Sequence, residues 1–153
     1  MTLYQPPLFV LMVLNLLWFG AGAIYFGIRA SSAAKLLVAR SDRSHPLFNI
    51  LAASIRFLGG LNFAFAVLAG VILLVPALFP EARQMAVLAA ILSLAHGTQF
   101  AGNLPVLLME KRSGFALWPV LRGRMFFIFC VDIALMLANA GVAVLLMASS
   151  ISA

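Results

Sequence analysis

The stretch LAHGTQFAGNLP (Leu94–Pro105) decides how this chain must fold, because it is polar yet lies inside a long apolar segment. It carries an imidazole, a hydroxyl and two amides, on His96, Thr98, Gln99 and Asn103. Such groups are unfavourable in a hydrocarbon environment unless they find hydrogen-bond partners. We therefore expect them to face the interior of a helix bundle.

The composition around this stretch is typical of a membrane protein. The 153 residues are 65% hydrophobic and only 9% charged, and the mean hydropathy is +1.13. Soluble domains are ~45–50% apolar and ~25% charged, and a domain of this size still needs a polar surface. The sequence predicts one multi-pass membrane domain over residues 1–153, and we expect it in the bacterial inner membrane.

Four apolar segments are long enough to cross ~30 Å of hydrocarbon, which takes roughly 20 residues. We predict an all-α, antiparallel four-helix transmembrane bundle with spans at residues 8–28, 48–75, 84–109 and 126–147. The first residues, MTLYQPP, contain no basic side chain, so the first span is expected to be retained rather than cleaved. The segment SSAAKLLVAR between the first two spans is either an interfacial amphipathic helix or an ordinary basic loop.

The distribution of basic residues predicts the orientation. Those of the first and third loops are Arg29, Lys35, Arg40, Arg43, Lys111, Arg112, Arg122 and Arg124, whereas the second loop has only Arg83. Cytoplasmic loops carry the excess of Lys and Arg, so loops one and three are predicted to be cytoplasmic and both termini non-cytoplasmic. This topology accounts for the net charge of +6 without a nucleic-acid partner.

The polar residues of the spans fall into two layers when each is counted from the cytoplasmic end at ~1.5 Å per residue. The midplane layer, ~20 Å deep, consists of Asn15, Asn62, His96 and Asn139. The second layer, ~9–15 Å deep, consists of Arg56, Gln99, Asn103 and Asp132. Together these residues are the predicted polar core or ligand-binding site.

Arg56 and Asp132 are expected to pair, because an unpaired charge at this depth is unfavourable and Arg can give a carboxylate two parallel hydrogen bonds. The alternative is that the long Arg56 side chain reaches cytoplasmic lipid phosphates. Small residues four apart, Gly60–Ala64 and Ala66–Gly70, predict that a neighbouring helix packs closely here. Pro105 removes one helix hydrogen bond and suggests a kink or a short unwound segment.

His96 allows more than one interpretation. A structural histidine bonded to Asn62 or Asn139 is the more common case, although imidazole also suits proton transfer or acid–base catalysis near neutral pH. A metal would need more ligands than His96 and Asp132 offer at different depths. No metal or cofactor is therefore predicted, and Cys130, the single cysteine, excludes an intrachain disulfide.

Two segments, IRFLGG (Ile55–Gly60) and LAHGTQF (Leu94–Phe100), resemble small four-span membrane proteins. They are similar to uncharacterised bacterial four-span families, and more distantly to the four-span scaffold protein of sterol C4-demethylation, whose matching positions would be Arg56 and His96. The chain departs from that family in having Gln99 and Asn103 where an acidic residue is expected. The resemblance implies a non-catalytic, partner-binding role near lipid-modifying enzymes.

Three functions are compatible with the sequence. The first is a small accessory or scaffold protein that binds lipid or partner membrane proteins. A homo-oligomer is compatible with this function. The second is a membrane-embedded enzyme that acts on a lipid or quinone with His96 in its site. The third is a small transporter or channel. The absence of hydrolase, metalloprotease and phosphate-loop motifs favours the first over the second.

Overall fold

The structure, a computed structural model that describes residues 6–151, is helical and contains no strand within that range. The five α-helices are α1 (Pro6–Gly22), α2 (Ala30–Leu37), α3 (Leu47–Leu74), α4 (Ala82–Ser113) and α5 (Gly123–Ile151). A π-helical segment, Ala23–Ile28, continues α1, and short 3-10 turns lie at Arg40–Asp42 and Pro76–Leu78. The two chain ends, whose side of the membrane the sequence predicts, lie outside the described residues.

Four of these helices are long and apolar enough to cross a membrane: α1 with the π segment, α3, α4 and α5. The predicted all-α, four-span pattern is thus confirmed at the level of helices. Their outer faces carry large exposed apolar side chains such as Ile28, Phe57 and Leu74, which are 79%, 81% and 83% exposed. Soluble monomers rarely expose apolar surface on this scale.

The helices pack as two pairs that share one core. α1 with the π segment lies along α3, α4 lies along α5, and α1 also contacts α5. Fully buried apolar side chains from all four fill the centre, among them Phe19, Ile72, Leu92 and Leu146.

The segment after the first span, left open between a helix and a loop, forms the helix α2. Its small residues Ala30, Ala33 and Ala34 are buried against Ala52 and Ile55 of α3. Ser31, Ser32 and Lys35 are exposed on the other side, so α2 is amphipathic.

The π segment and α3 approach each other closely at Gly27 and Gly59. A Cβ atom added at Gly59 would overlap the backbone of Gly27. The predicted contact through Gly60 and Ala64 is wrong, because both are exposed and nothing lies within 4 Å of the Gly60 Cβ position. The small-residue contact therefore lies one residue earlier, on the neighbouring face of the helix.

α4 is one continuous helix through Pro105, so the suggested unwound segment is absent. Its start is fixed by a capping box, in which the Glu81 N–H donates to the Gln84 side chain at 3.2 Å. Its end is Gly114, whose φ of 70° is the left-handed conformation that favours glycine. α4 therefore runs past the predicted end at residue 109.

The loop between α4 and α5 folds back along the end of α4. The Trp118 indole donates to Asn103 Oδ1 at 2.9 Å, and Val120 is buried with Val106 and Phe129. Further along, His96 lies opposite Asp132; at this antiparallel register Gly123 is level with Pro105. The last two turns of α4 consequently extend beyond the start of α5.

Candidate functional site

A network of buried hydrogen bonds joins α1, α4 and α5 at the centre of the bundle. We call it the polar network, and it consists of Asn15, Trp18, His96, Asp132 and Asn139. The imidazole lies in its middle: Nε2 is 3.0 Å from Asn15 Oδ1, and Nδ1 is 3.1 Å from Asp132 Oδ1. The same carboxylate oxygen accepts the Trp18 indole N–H at 2.9 Å.

The side-chain amides in the network are oriented by their own helices. Asn15 Nδ2 donates to the Leu11 carbonyl at 2.8 Å, and Asn139 Nδ2 donates to the Leu135 carbonyl at 2.8 Å. The two amides also pair with each other, over N–O distances of 3.0 and 3.1 Å. Because Asn15 Nδ2 is used as a donor, its Oδ1 is the atom that faces His96. Nε2 must therefore carry a hydrogen.

His96 has no open space in front of it. The Phe19 ring stacks on the imidazole with 4.4 Å between ring centroids, and Phe65 stacks on Phe19 in turn. His96 is 0% exposed, and both of its ring nitrogens are bonded within the protein. No group of three His, Cys, Asp or Glu side chains within residues 6–151 could hold a metal ion.

The predicted pair of Arg56 with Asp132 is wrong. Asp132 bonds to Trp18 and His96, whereas Arg56 is exposed on the outer face of α3. The physical reason is that the loop between α4 and α5 folds back along α4, so α5 starts level with Pro105 and not with the end of α4. Residues near the start of α5 therefore lie deeper in the bundle than their count from the start of the span predicts. Asp132 is therefore level with His96.

The remaining predicted residues lie apart from the polar network. Asn103 bonds to Trp118 and to the Gln99 carbonyl. Asn62 does not reach His96, since its Nδ2 donates to the Leu58 carbonyl at 2.8 Å. The Asn62 side chain lies against Gly22, where an added Cβ would overlap it.

Asn62 and Gln99 instead line a cavity of about 560 Å³ between the π segment, α3, α4 and α5. Its walls are mainly apolar and aromatic, and include Trp18, Tyr25 and Phe127. Phe127 is 62% exposed, so the cavity is open to the surroundings of the bundle.

Two arginines, Arg29 and Arg124, complete the cavity lining. Neither forms an ion pair, and neither guanidinium donates to another group, among the contacts of residues 6–151. The cavity therefore combines apolar walls with two positive charges that have no acidic counterpart in the described chain.

Sequence reasoning missed the three cavity residues Trp18, Arg29 and Arg124. The arginines were interpreted only as indicators of topology, although each adjoins the end of a span. Trp18 offered a clearer signal: it follows Asn15 by three residues, so the indole N–H shares a helix face with the buried amide. In the structure Trp18 both lines the cavity and bonds to Asp132, so it belongs to both sites.

Comparisons of the chain with protein-family models, curated proteins and solved structures find no match. The polar network and the cavity are therefore the features that bear on function.

Proposed function

We propose that this chain is a non-catalytic, multi-pass membrane protein that binds one anionic lipid molecule in the cavity beside Trp18. The observation that carries this proposal is the combination of a cavity of about 560 Å³ with the two unpaired guanidinium groups of Arg29 and Arg124. Ligand sites are typically ~300–1,000 Å³, largely apolar, with a few convergent polar groups.

Each part of the cavity matches one part of such a lipid. The aromatic and aliphatic walls suit an acyl chain, which gains ~0.8 kcal/mol for each buried methylene. The guanidinium groups suit a phosphate, because Arg binds phosphate oxygens through two parallel hydrogen bonds. Asn62 and Gln99 add polar side chains that can bond to the glycerol or ester region.

The position of the arginines agrees with the orientation inferred from the loop charges. Arg29 follows the first span and Arg124 lies in the first turn of α5, so both belong to the basic side, which is the cytoplasmic side by the distribution of Lys and Arg. Lipid phosphates lie at the ends of transmembrane helices. In a bacterial inner membrane the headgroup would meet both guanidinium groups on the cytoplasmic side.

Binding is favoured over catalysis or transport by the state of His96. An acid–base catalyst must come within hydrogen-bond reach of its substrate, but both nitrogens of His96 are bonded within the protein and Phe19 covers the ring. A hydrophilic path through the centre would also have to break this closed polar network.

Native mass spectrometry of the purified protein tests the proposal, with phosphatidylglycerol as the anionic probe and phosphatidylcholine as the neutral one. We expect one phosphatidylglycerol to bind and the double variant Arg29→Gln/Arg124→Gln to bind it at least tenfold more weakly, since tenfold corresponds to about 1.4 kcal/mol. Ala21→Trp, which places an indole in the cavity, should also weaken binding.

The matched control is Arg40→Gln/Arg112→Gln, which removes two basic residues from the same predicted side but outside the cavity lining. It should bind phosphatidylglycerol as the wild type does. Equal losses in both double variants, or equal affinity for both lipids, would contradict a specific site.

A further inference from the structure

One residue of the polar network differs in kind from its neighbours: Asp132 is acidic, whereas Asn15 and Asn139 are amides. Its Oδ1 atom bonds to two groups at once, the Trp18 indole at 2.9 Å and His96 Nδ1 at 3.1 Å. An indole N–H can only donate. Oδ1 must therefore accept one hydrogen bond while it makes a second bond to the imidazole.

The protonation of the imidazole follows from its other nitrogen. Nε2 carries a hydrogen because it faces Asn15 Oδ1, whose orientation the Leu11 carbonyl fixes. The bond between Nδ1 and Asp132 then requires one further proton. Either a carboxylic acid donates to a neutral imidazole, or an imidazolium donates to a carboxylate. Both arrangements contain the same number of protons and have no net charge.

We infer that Asp132 and His96 form a proton-binding site that holds one shared proton, and that Trp18 connects this site to the cavity. Adding a proton would leave the buried pair with a charge of +1, and removing one would leave −1. Burying an uncompensated charge is strongly unfavourable.

Among the described residues, none of those bonded to or stacked on the pair carries a further charge. α1 contributes Asn15, Trp18 and Phe19, α5 contributes Asn139, and α3 contributes Phe65, which stacks behind Phe19. His96 is the only ion-pair partner of Asp132 within residues 6–151. Arg29 and Arg124 line the cavity that Trp18 also lines, and neither forms an ion pair with Asp132 within residues 6–151.

An amide at position 132 cannot make both bonds with one atom. If its oxygen faces the site, it accepts from Trp18 but offers no hydrogen to neutral His96. If its nitrogen faces the site, it donates to Nδ1 but opposes the indole N–H. This conflict explains why an acid stands at a position where the rest of the network uses amides.

The link to the cavity rests on the proposed lipid site, whereas the proton site does not. A ligand that rotates Trp18 would remove a donor from Asp132 Oδ1, and that donor favours the carboxylate. The shared proton would then shift toward Asp132. The experiments that follow use lipid-free protein in detergent, so their outcome is independent of lipid binding.

The first experiment compares the thermal unfolding midpoints of Asp132→Asn, Trp18→Phe and the double variant. Each single change should lower the midpoint, Asp132→Asn by about 4–10 °C. In the double variant the competing indole N–H is gone and the amide can donate to Nδ1. Trp18→Phe should therefore raise the midpoint of Asp132→Asn, although it lowers that of the wild type. Additive losses would overturn the inference.

The second experiment uses the wild type and remains decisive if a variant does not fold. The chain has two histidines, and His45 in the first loop is exposed, which makes it an internal control for ¹⁵N NMR. We expect a proton bound to Nε2 of His96, because that nitrogen faces Asn15 Oδ1. An unprotonated Nε2 in His96 would overturn the inference.

Discussion

At the scale of single residues, Asn15 holds the polar network together. Its Oδ1 accepts from both His96 and Asn139, and its Nδ2 donates to the Leu11 carbonyl and to Asn139. Its position in the midplane layer could be predicted from its depth in the first span. Its partners could not, because they depend on how three helices are rotated and aligned relative to each other.

Asn15→Ala should therefore destabilise the protein by about 1–3 kcal/mol, because it leaves His96 Nε2 and one side of Asn139 buried without partners. The change can be measured by reversible unfolding in mixed detergent micelles. Ser54→Ala is the control, since Ser54 is exposed and bonds only to the carbonyl of Ile50 in its own helix. A loss no larger than that of the control would show that the network does not stabilise the bundle.

At the scale of helices, the contact between Gly27 and Gly59 determines how the π segment packs on α3. Gly59→Ala should destabilise the protein by about 1–3 kcal/mol or more, since the added methyl group overlaps backbone atoms that cannot rotate away. π-helical turns often occur at functional sites, and this one supplies Ile24, Tyr25 and Phe26 to the cavity. Lipid binding should therefore weaken in the same variant.

The adjacent glycine provides a matched control for this prediction. Gly60→Ala adds the same methyl group one residue along α3, where nothing lies within 4 Å. It should leave stability unchanged or raise it by up to ~1 kcal/mol, because Ala is the better helix former. Equal effects of the two substitutions would contradict the close packing at Gly59.

The helices were predictable from length and hydropathy, and so were the ends of the first two spans to within two residues. The end of α4 was not. Residues 110–113, EKRS, are polar and were predicted to be loop, but polar residues alone do not end a helix. α4 continues to Ser113 and is followed by Gly114, whose backbone is left-handed. Because α4 is longer than predicted and the loop folds back along it, Asp132 lies deeper in the bundle than its predicted depth. The π segment has no comparable sequence signal, since its six residues, AIYFGI, also suit an α-helix.

At the scale of the whole molecule, the loop charges predict which side of the membrane each turn occupies. The test starts from Cys130→Ser, because Cys130 is the only cysteine and is exposed. Single cysteines are then introduced as Ser41→Cys in the first loop and Ala77→Cys in the second, both at exposed positions. A membrane-impermeant maleimide should label Ala77→Cys in intact cells and Ser41→Cys only after permeabilisation. The reverse pattern would contradict the proposed orientation.

The bond between Asn15 and Asn139 has a consequence for biosynthesis, because it joins residues 124 positions apart. While the chain is being made, α1, α3 and α4 leave the ribosome before α5 and cannot complete the network among themselves. Until α5 arrives, Asn15 lacks its bond to Asn139 and His96 Nδ1 lacks its bond to Asp132, so part of the network has unsatisfied groups in hydrocarbon. A chain that still lacks α5 is thus chemically distinguishable within the bilayer from one that contains it, and the arrival of α5 removes the difference.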